Sequence, residues 1–231
     1  MKKLYLFISI LTVCFLFANT FAQNTKIDSL ENLLQRHTDK DTIRVSLLVE
    51  IAGAIQKTNR EKSFDYLTEG HNLADEIDFL SGKAISKKLL GIYYYNEANY
   101  PEALNYYEKS IDLFKELGND TEVAKGLNYI GIIYVYQGNY PKSLEYFQKS
   151  LVLFEKIDDK SGISGCMIYI GNIYHSQGDL SLALEYYKKS LQLYQELGDN
   201  SGMSFCFNNI GVVYRKQANY SKALEYSQKS L

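Results

Sequence analysis

Histidine and cysteine, two residue types common in catalytic and metal sites, are scarce in this chain. Its 231 residues include three histidines and three cysteines. No H-E-x-x-H pair, phosphate-binding loop or G-x-S-x-G turn is present. The stretch SGISGC at 161–166 approaches the last motif but has the wrong spacing, and its serine and glycines are typical of a loop and a helix start. The sequence therefore predicts no enzyme and no catalytic residue.

The remaining polar candidates have structural interpretations. His37, His71 and His175 lie far apart in the sequence. His71 precedes Asp75 by one helical turn, but one histidine and one carboxylate fall short of a metal ligand set, which favours a surface pair. No metal and no cofactor is predicted.

Cys166 and Cys206 occupy the same position of two neighbouring copies of a repeated segment. An oxidising compartment would permit a disulfide between them. Equivalent sites of neighbouring units are expected to lie too far apart for that bond. Two separate buried thiols are the favoured interpretation.

Residues 1–22 differ from the rest of the chain. Two lysines precede the apolar run LYLFISILTVCFLF, and small residues follow at Thr20 and Ala22. This pattern predicts a secretory signal peptide cleaved before Gln23, and therefore an exported protein in a periplasmic or other extracytoplasmic compartment. An uncleaved membrane anchor is the alternative, although the run is short for a bilayer core of about 30 Å. The net charge of −2 offers no basic surface for nucleic acid.

The rest of the chain repeats itself with a period of about 40 residues, which is in the range of helical solenoids. The segments QGNYPKSLEYFQKSL, QGDLSLALEYYKKSL and QANYSKALEYSQKSL begin at residues 137, 177 and 217. Upstream, EANYPEALNYYEKSI begins at residue 97. A fixed period of this size indicates an array built from one supersecondary unit.

The unit of the repeat is a helical hairpin. Leu127, Ile130, Gly131 and Tyr134 recur at the spacing of one helix face. A second run with helical period follows the turn at 137–139: Leu144, Phe147, Leu151 and Phe154. No segment alternates as a strand would. We therefore expect an all-α fold of stacked antiparallel hairpins, with helices of about 17 residues.

Turn and capping residues mark the helix ends. Hydroxyl side chains precede each first helix and are expected to be N-caps: Ser81, Thr121, Ser161 and Ser201. Pro101 and Pro141 fall where second helices begin. Gly118 and Gly198 are expected to end helices in the left-handed conformation.

Glycines within the first helices predict close packing. They are Gly91, Gly131, Gly171 and Gly211, and each costs about 1 kcal/mol relative to alanine. We expect aromatic rings of the second helices to fill the space: Tyr107, Phe147 and Tyr187.

This pattern closely resembles the tetratricopeptide repeat. The resemblance is carried by Ile130, Gly131, Tyr134, Gly138, Asn139, Tyr140, Ser143, Leu144, Tyr146, Phe147 and Leu151. The usual period is about 34 residues, and the longer form looks like the repeats of kinesin light chain, of Pins/LGN proteins and of exported bacterial signalling proteins. It implies an α-α superhelix with four hairpins over 81–231, the last one truncated. A degenerate hairpin, with Ile51 replacing the glycine, spans 41–80, and a leader helix spans 23–40.

The resemblance also implies a peptide-binding groove lined mainly by first helices. The family's groove positions correspond here to Asn128, Tyr129, Tyr169, Asn172, His175, Asn208, Asn209 and Arg215. Tyrosine and asparagine suit peptide contact because few torsions are immobilised on binding. The alternative is that these side chains coat a solvated face.

Two functions follow from these sequence features. The first is a non-catalytic scaffold that binds a protein or peptide segment in the groove. The second is the extracytoplasmic sensory region of a longer membrane signalling protein, with a histidine kinase, nucleotide cyclase or helix-turn-helix output beyond residue 231. Leu231 falls eleven residues into an expected helix, and a solenoid normally ends in a polar cap. We therefore expect the chain to continue or a partner to cover this end.

Overall fold

The computed structural model describes residues 25–230, so the predicted signal peptide and Leu231 lie outside it. The chain divides between Glu97 and Ala98 into two compact units. The first unit contains α1 (25–36), α2 (Thr42–Ile55), α3 (Arg60–Glu76) and α4 (Leu80–Asn96). Ile27 and Leu30 of α1 pack on a core that includes Leu34 and Leu48.

The second unit contains seven helices. They are α5 (Tyr100–Glu116), α6 (Asp120–Tyr136), α7 (Tyr140–Lys156), α8 (Lys160–Gln177), α9 (Leu180–Leu197), α10 (Asn200–Lys216) and α11 (Tyr220–Lys229). Between residues 25 and 230 there is no strand, and the predicted all-α fold of helical hairpins is confirmed. Helices α3 to α10 contain 17 or 18 residues each. No helix in this described range has the length and apolar character needed to cross a bilayer.

The connections between helices share one backbone feature from α3 onward. Each contains one residue with positive φ: Asp78, Ala98, Gly118, Gly138, Asp158, Gly178, Gly198 and Ala218. A left-handed residue turns the chain and lets the next N–H bond back to the helix, as Asn119 N does to Phe114 O at 2.9 Å. Gly118 and Gly198 were predicted in this conformation, and their φ values of 67° and 66° confirm it.

The predicted hydroxyl N-caps are wrong. Asn119, Asp159 and Asp199 cap α6, α8 and α10, and each side chain accepts a hydrogen bond from the N–H three residues ahead. Thr121, Ser161 and Ser201 lie within the first turn instead. The same holds for Ser81 in α4, whose cap position is occupied by Phe79 without a side-chain bond. The N-cap residue directly follows the left-handed residue, two positions earlier than we expected.

The glycine and ring contacts are confirmed within the second unit. A Cβ at Gly131 would lie 3.0 Å from Phe147, and one at Gly171 would lie 2.7 Å from Tyr187. Both rings are buried. At Gly211 the ring is replaced by Ser227, whose Oγ would lie 3.4 Å from a Cβ.

A second set of glycines receives rings from the preceding hairpin. A Cβ at Gly162 would overlap Phe154, and a Cβ at Gly202 would overlap Tyr194. The first helices α8 and α10 are thus indented where α7 and α9 press against them. These indentations allow successive hairpins to approach closely, and the Phe154 ring is buried at its contact.

Buried serines tie the helices together and reveal the register of the first hairpin. Ser143 Oγ donates to Gly131 O at 2.8 Å, and Ser63 Oγ donates to Ala52 O at 2.8 Å. Because Ser63 and Ser143 are equivalent, Ala52 and not Ile51 takes the place of the repeat glycine. The α2 helix is therefore offset by one residue from the register of the later repeats.

Serines also accompany the two cysteines. Ser150 Oγ donates to Ala124 O at 2.8 Å, and Ser190 Oγ donates to Ser164 O at 3.1 Å. Cys166 and Cys206 each lie 3.4 Å from one of these hydroxyls. Both cysteines are free and buried, in agreement with the favoured interpretation.

Two glycines of α8 provide a test of the packing. We expect Gly171→Ala to lower the free energy of unfolding by about 1–3 kcal/mol, because the new methyl overlaps the buried Tyr187 ring. Gly165→Ala is the matched control: no atom lies within 4 Å of its Cβ, so it should raise stability by about 0.5–1 kcal/mol. Urea unfolding followed by circular dichroism measures both changes. Equal effects of the two substitutions would contradict the interlocking contact.

The left-handed turns give a second test. Ala218 has φ 58°, which an L-residue adopts at a cost, so Ala218→Gly should stabilise the protein by about 0.5–1 kcal/mol. The reverse change, Gly118→Ala, should destabilise it by a similar amount although nothing lies within 4 Å of the added methyl. The urea midpoints should therefore move in opposite directions, and a shift in the same direction would refute the conformational explanation.

Candidate functional site

The candidate site is the face formed by the first helices of the second unit, α6, α8 and α10. The eight groove residues predicted from the sequence all lie on these helices. They are Asn128 and Tyr129 on α6; Tyr169, Asn172 and His175 on α8; and Asn208, Asn209 and Arg215 on α10. Because the repeats have equal length, equivalent residues lie at the same point of successive first helices.

Two tyrosines of this face are held by the core beneath them. Tyr129 stacks on Tyr107 with ring centroids 5.1 Å apart and planes 5° apart. Tyr169 stacks on Phe147 with the same distance and angle. Burial raises the pKa of the Tyr169 phenol, and the nearby Tyr136 and Tyr129 phenols add to this effect. Both rings are half-buried, and because the stacking restricts their rotation, each presents a fixed aromatic edge.

The amide of Asn172 is oriented by a buried tyrosine. Tyr187 donates its hydroxyl to Asn172 Oδ1 at 2.7 Å. Burial raises the pKa of the Tyr187 phenol, so it remains a donor at physiological pH. With its oxygen engaged, Asn172 keeps an NH₂ group that makes no hydrogen bond to any residue in 25–230. Asn172 as a whole is half-exposed.

His175 and Asn209 contain buried polar atoms without partners in the described chain. These atoms are Nε2 of His175 and Nδ2 of Asn209. Burial lowers the pKa of His175, and the nearby Lys216 ammonium lowers it further, so the imidazole is neutral at pH 7. A buried polar atom without a hydrogen bond costs about 1–3 kcal/mol. Both residues are half-exposed overall, although these two nitrogen atoms are buried.

The remaining predicted residues differ in exposure. Asn208 and Arg215 on α10 are exposed. Asn128 is half-buried, and its Oδ1 lies 4.0 Å from Cys166 Sγ. The face thus changes along the unit, from the aromatic α6 and α8 side to the amide-rich and cationic α10 side.

The thiols near this face are not activated. Burial raises the pKa of Cys166 to about 11 and also raises that of Cys206. A thiol with a raised pKa is protonated at pH 7 and is a poor nucleophile. The site is therefore suited to contact and hydrogen bonding, not to covalent chemistry through these cysteines.

A polar cluster that the sequence did not indicate lies in the connection between α1 and α2. Ligand atoms of His37, Asp39 and Asp41 lie within 4.8 Å of one another. Asp41 Oδ1 already accepts bonds from the N–H groups of Ile43 and Arg44, and His37 lies 2.8 Å from it. The Arg44 guanidinium donates to His37 O at 2.9 Å. The cluster therefore caps α2 beside a fixed positive charge, which disfavours a cation.

The predicted pair of His71 and Asp75 is present, with Nε2 and Oδ2 3.7 Å apart. Lys83 Nζ lies 3.9 Å from the other oxygen of Asp75. These contacts agree with the predicted pairing, but the His71 and Lys83 side chains are only 18% and 19% exposed, so the pair is half-buried.

Solved structures with similar folds contain stacked helical repeats. BtubC (BKLC) from P. vanneervenii is 20% identical, with a TM-score of 0.74 over 90% of this chain and 87% of that one. A Signal Transduction ATPase with Numerous Domains from Pyrococcus horikoshii, described with a tetratricopeptide repeat sensor, is 20% identical with a TM-score of 0.78. The match covers 90% of this chain and 33% of the ATPase. The apo quorum sensor NprR from B. thuringiensis is 15% identical with a TM-score of 0.74, over 90% of this chain and 58% of NprR.

Comparison of sequences gives the family directly. No curated protein sequence matches the chain significantly. The tetratricopeptide repeat profile matches residues 84–156, 120–196 and 164–231. Together these matches cover more than half of the chain, and their repeats coincide with the helical hairpins of the structure. This chain is a member of the tetratricopeptide repeat family.

Proposed function

We propose that this protein is a non-catalytic scaffold that binds a protein or peptide segment on the face of α6, α8 and α10. The observation that carries the proposal is the combination of core-held rings with amide and imidazole atoms that lack internal partners. Such atoms gain hydrogen bonds when a polypeptide is bound, while the rings supply contact area. The second unit contains all of these groups.

The aromatic side of the face favours contact with apolar or aromatic side chains of the partner. Tyr129 and Tyr169 are already restricted by stacking on Tyr107 and Phe147. Less conformational entropy is therefore lost when a partner packs on them.

The amide side favours hydrogen bonds to a main chain or to polar side chains. Asn172 offers its NH₂ group, because Tyr187 occupies its oxygen. Asn209 offers a second NH₂ group whose nitrogen is buried without a partner among the described residues. Arg215 and Lys216 in the last turn of α10 add positive charge, so we expect the bound segment to contain a carboxylate near this end.

The family supports a protein-interaction role over an enzymatic one. Two similar structures are described as sensors, one of them an ATPase with a repeat sensor and the other a quorum sensor. These descriptions belong to those proteins, and the low identities support the shared fold alone.

A second candidate is a sensory region of a longer membrane signalling protein, exported to the periplasm or another extracytoplasmic compartment. The signal-peptide pattern of residues 1–22 favours it. In this case the same face binds the stimulus, and an output domain lies beyond residue 231. The full reading frame of the gene distinguishes the two candidate functions. An apolar run of about 20 residues after residue 231, followed by an output domain, would support the sensor. Further repeats and a stop codon count against it.

Photo-crosslinking tests the binding face. A benzoylphenylalanine at position 208, which is exposed on α10, should crosslink a partner in cells of the source organism. The same residue at position 148, exposed on the second helix α7, should not. Crosslinking at both positions, or at neither, would contradict a specific face.

Substitutions on the face give an independent measurement. Asn172→Ala and Arg215→Ala should each weaken binding of the crosslinked partner by about 5- to 50-fold, as expected for lost hydrogen bonds and charge. Asn105→Ala and Lys188→Ala, at exposed positions of second helices, are the matched controls and should leave the dissociation constant unchanged. Isothermal titration calorimetry with the purified partner measures all four, and wild-type affinity in both face variants would exclude this site.

Export can be tested separately. We expect the protein to be recovered outside the cytoplasm with Gln23 as its first residue, as shown by fractionation and mass spectrometry. Replacing Ile8 and Leu11 in the apolar run with arginine should retain the full-length chain in the cytoplasm, because a charged run is not recognised for secretion. A cytoplasmic wild-type protein that keeps residues 1–22 would refute export.

A further inference from the structure

The first unit contains an apolar pocket between α2 and α4 that the sequence did not indicate. Its volume is about 260 Å³. Val45 and Val49 line it from α2, and Ile85 and Leu89 line it from α4. For scale, a dry apolar cavity of about 150 Å³ is sufficient to bind benzene. The pocket is therefore large enough for one compact apolar group.

Gly53 keeps this pocket open. Glycine within a helix destabilises it relative to alanine, and most helical glycines of this chain compensate through close packing. A Cβ at Gly82, for example, would lie 2.6 Å from Phe79. A Cβ at Gly53 would meet nothing closer than Leu89 at 3.6 Å, an ordinary contact. No steric conflict explains Gly53, and the space its missing side chain would occupy is the pocket.

Phe79 departs from the repeat at the same place. The equivalent positions before α6, α8 and α10 hold Asn119, Asp159 and Asp199, each of which caps its helix. Phe79 provides no cap bond to α4, and its ring instead forms a wall of the pocket. Gly53 and Phe79 each lower the local stability of a helix, and both line the same cavity. Departures of this kind from local sequence rules are expected at functional sites.

One charged side chain borders the pocket. Among the lining residues, which all lie in the described chain, Glu50 alone is ionisable, and its side chain is half-exposed. The Lys26 ammonium lies 2.8 Å from its carboxylate. Lys26 does not line the pocket. The contact shows that this carboxylate accepts an ammonium, in an exposed ion pair that a ligand can replace at small cost.

We infer that this pocket binds a small primary amine with a compact apolar body. The aryl or branched alkyl group fills the space beside Gly53, and the ammonium pairs with Glu50. The site lies in the first unit and shares no residue with the face of α6, α8 and α10, so it does not depend on the function proposed above.

The test compares three probes that share one ring. 2-Phenylethylamine, 2-phenylethanol and phenylacetate are titrated into the protein, and the methyl resonances of Val45, Val49, Ile85 and Leu89 are followed by NMR. The amine should shift these methyls with a millimolar dissociation constant, about 2- to 5-fold tighter than the alcohol, and phenylacetate should be weakest. Absence of methyl shifts with all three probes, or equal affinities, would overturn the inference.

Substitutions test the contribution of the apolar cavity to binding separately from that of the Glu50 charge. Gly53→Leu fills the cavity and should abolish the methyl shifts while raising the urea midpoint, so loss of binding cannot be attributed to unfolding. Glu50→Gln should reduce amine affinity to that of the alcohol and leave alcohol binding unchanged. Lys26→Ala removes the competing ammonium and should tighten amine binding about 2- to 5-fold. Undiminished binding in Gly53→Leu, or weaker amine binding in Lys26→Ala, would contradict the assignment.

Discussion

The contact between a helix glycine and an aromatic ring of the next helix governs this structure. At Gly131 and Gly171, the missing side chain allows Phe147 and Tyr187 to lie against the backbone of the first helix. Gly162 and Gly202 receive Phe154 and Tyr194 from the preceding hairpin in the same way. Because protein interiors are close-packed, these contacts leave few alternative separations between hairpins. Helix propensity is given up at each glycine, and the packing that results is what makes the array specific.

The left-handed turns supply the second constraint, because they set the residue at which each following helix begins. One residue of positive φ recurs in every connection from α3 onward, and each following helix begins two residues after it. Side chains at equivalent positions of successive repeats are consequently aligned in rows. Exposed positions, such as those of Asn208 and Arg215, are then able to differ from repeat to repeat. Constant core positions combined with variable exposed positions explain how one scaffold can present an aromatic region and an amide-rich region on the same face.

The two sites arise in different ways from that scaffold. The face of α6, α8 and α10 is regular, and its rings are held by the same stacking that builds the core. The pocket between α2 and α4 arises where the repeat is irregular. There α2 is offset by one residue, Phe79 replaces a capping residue, and Gly53 has no packing partner that requires it. Regular positions thus provide an extended surface, and irregular positions provide a discrete cavity.

The sequence alone determined the hairpin repeat, the helix lengths, and the glycine and ring pairing at Gly131 and Gly171. These features are periodic and local, so each repeat provides an independent copy of the same signal. Only the tertiary structure decided that Asn and Asp, not the hydroxyls, cap the helices, because the start of each helix depends on the left-handed residue before it. It also decided the offset of α2, the unpaired atoms of His175 and Asn209 within the described chain, and the pocket beside Gly53. Those features depend on distances between side chains of different helices, and these distances cannot be inferred from the order of residues along the chain.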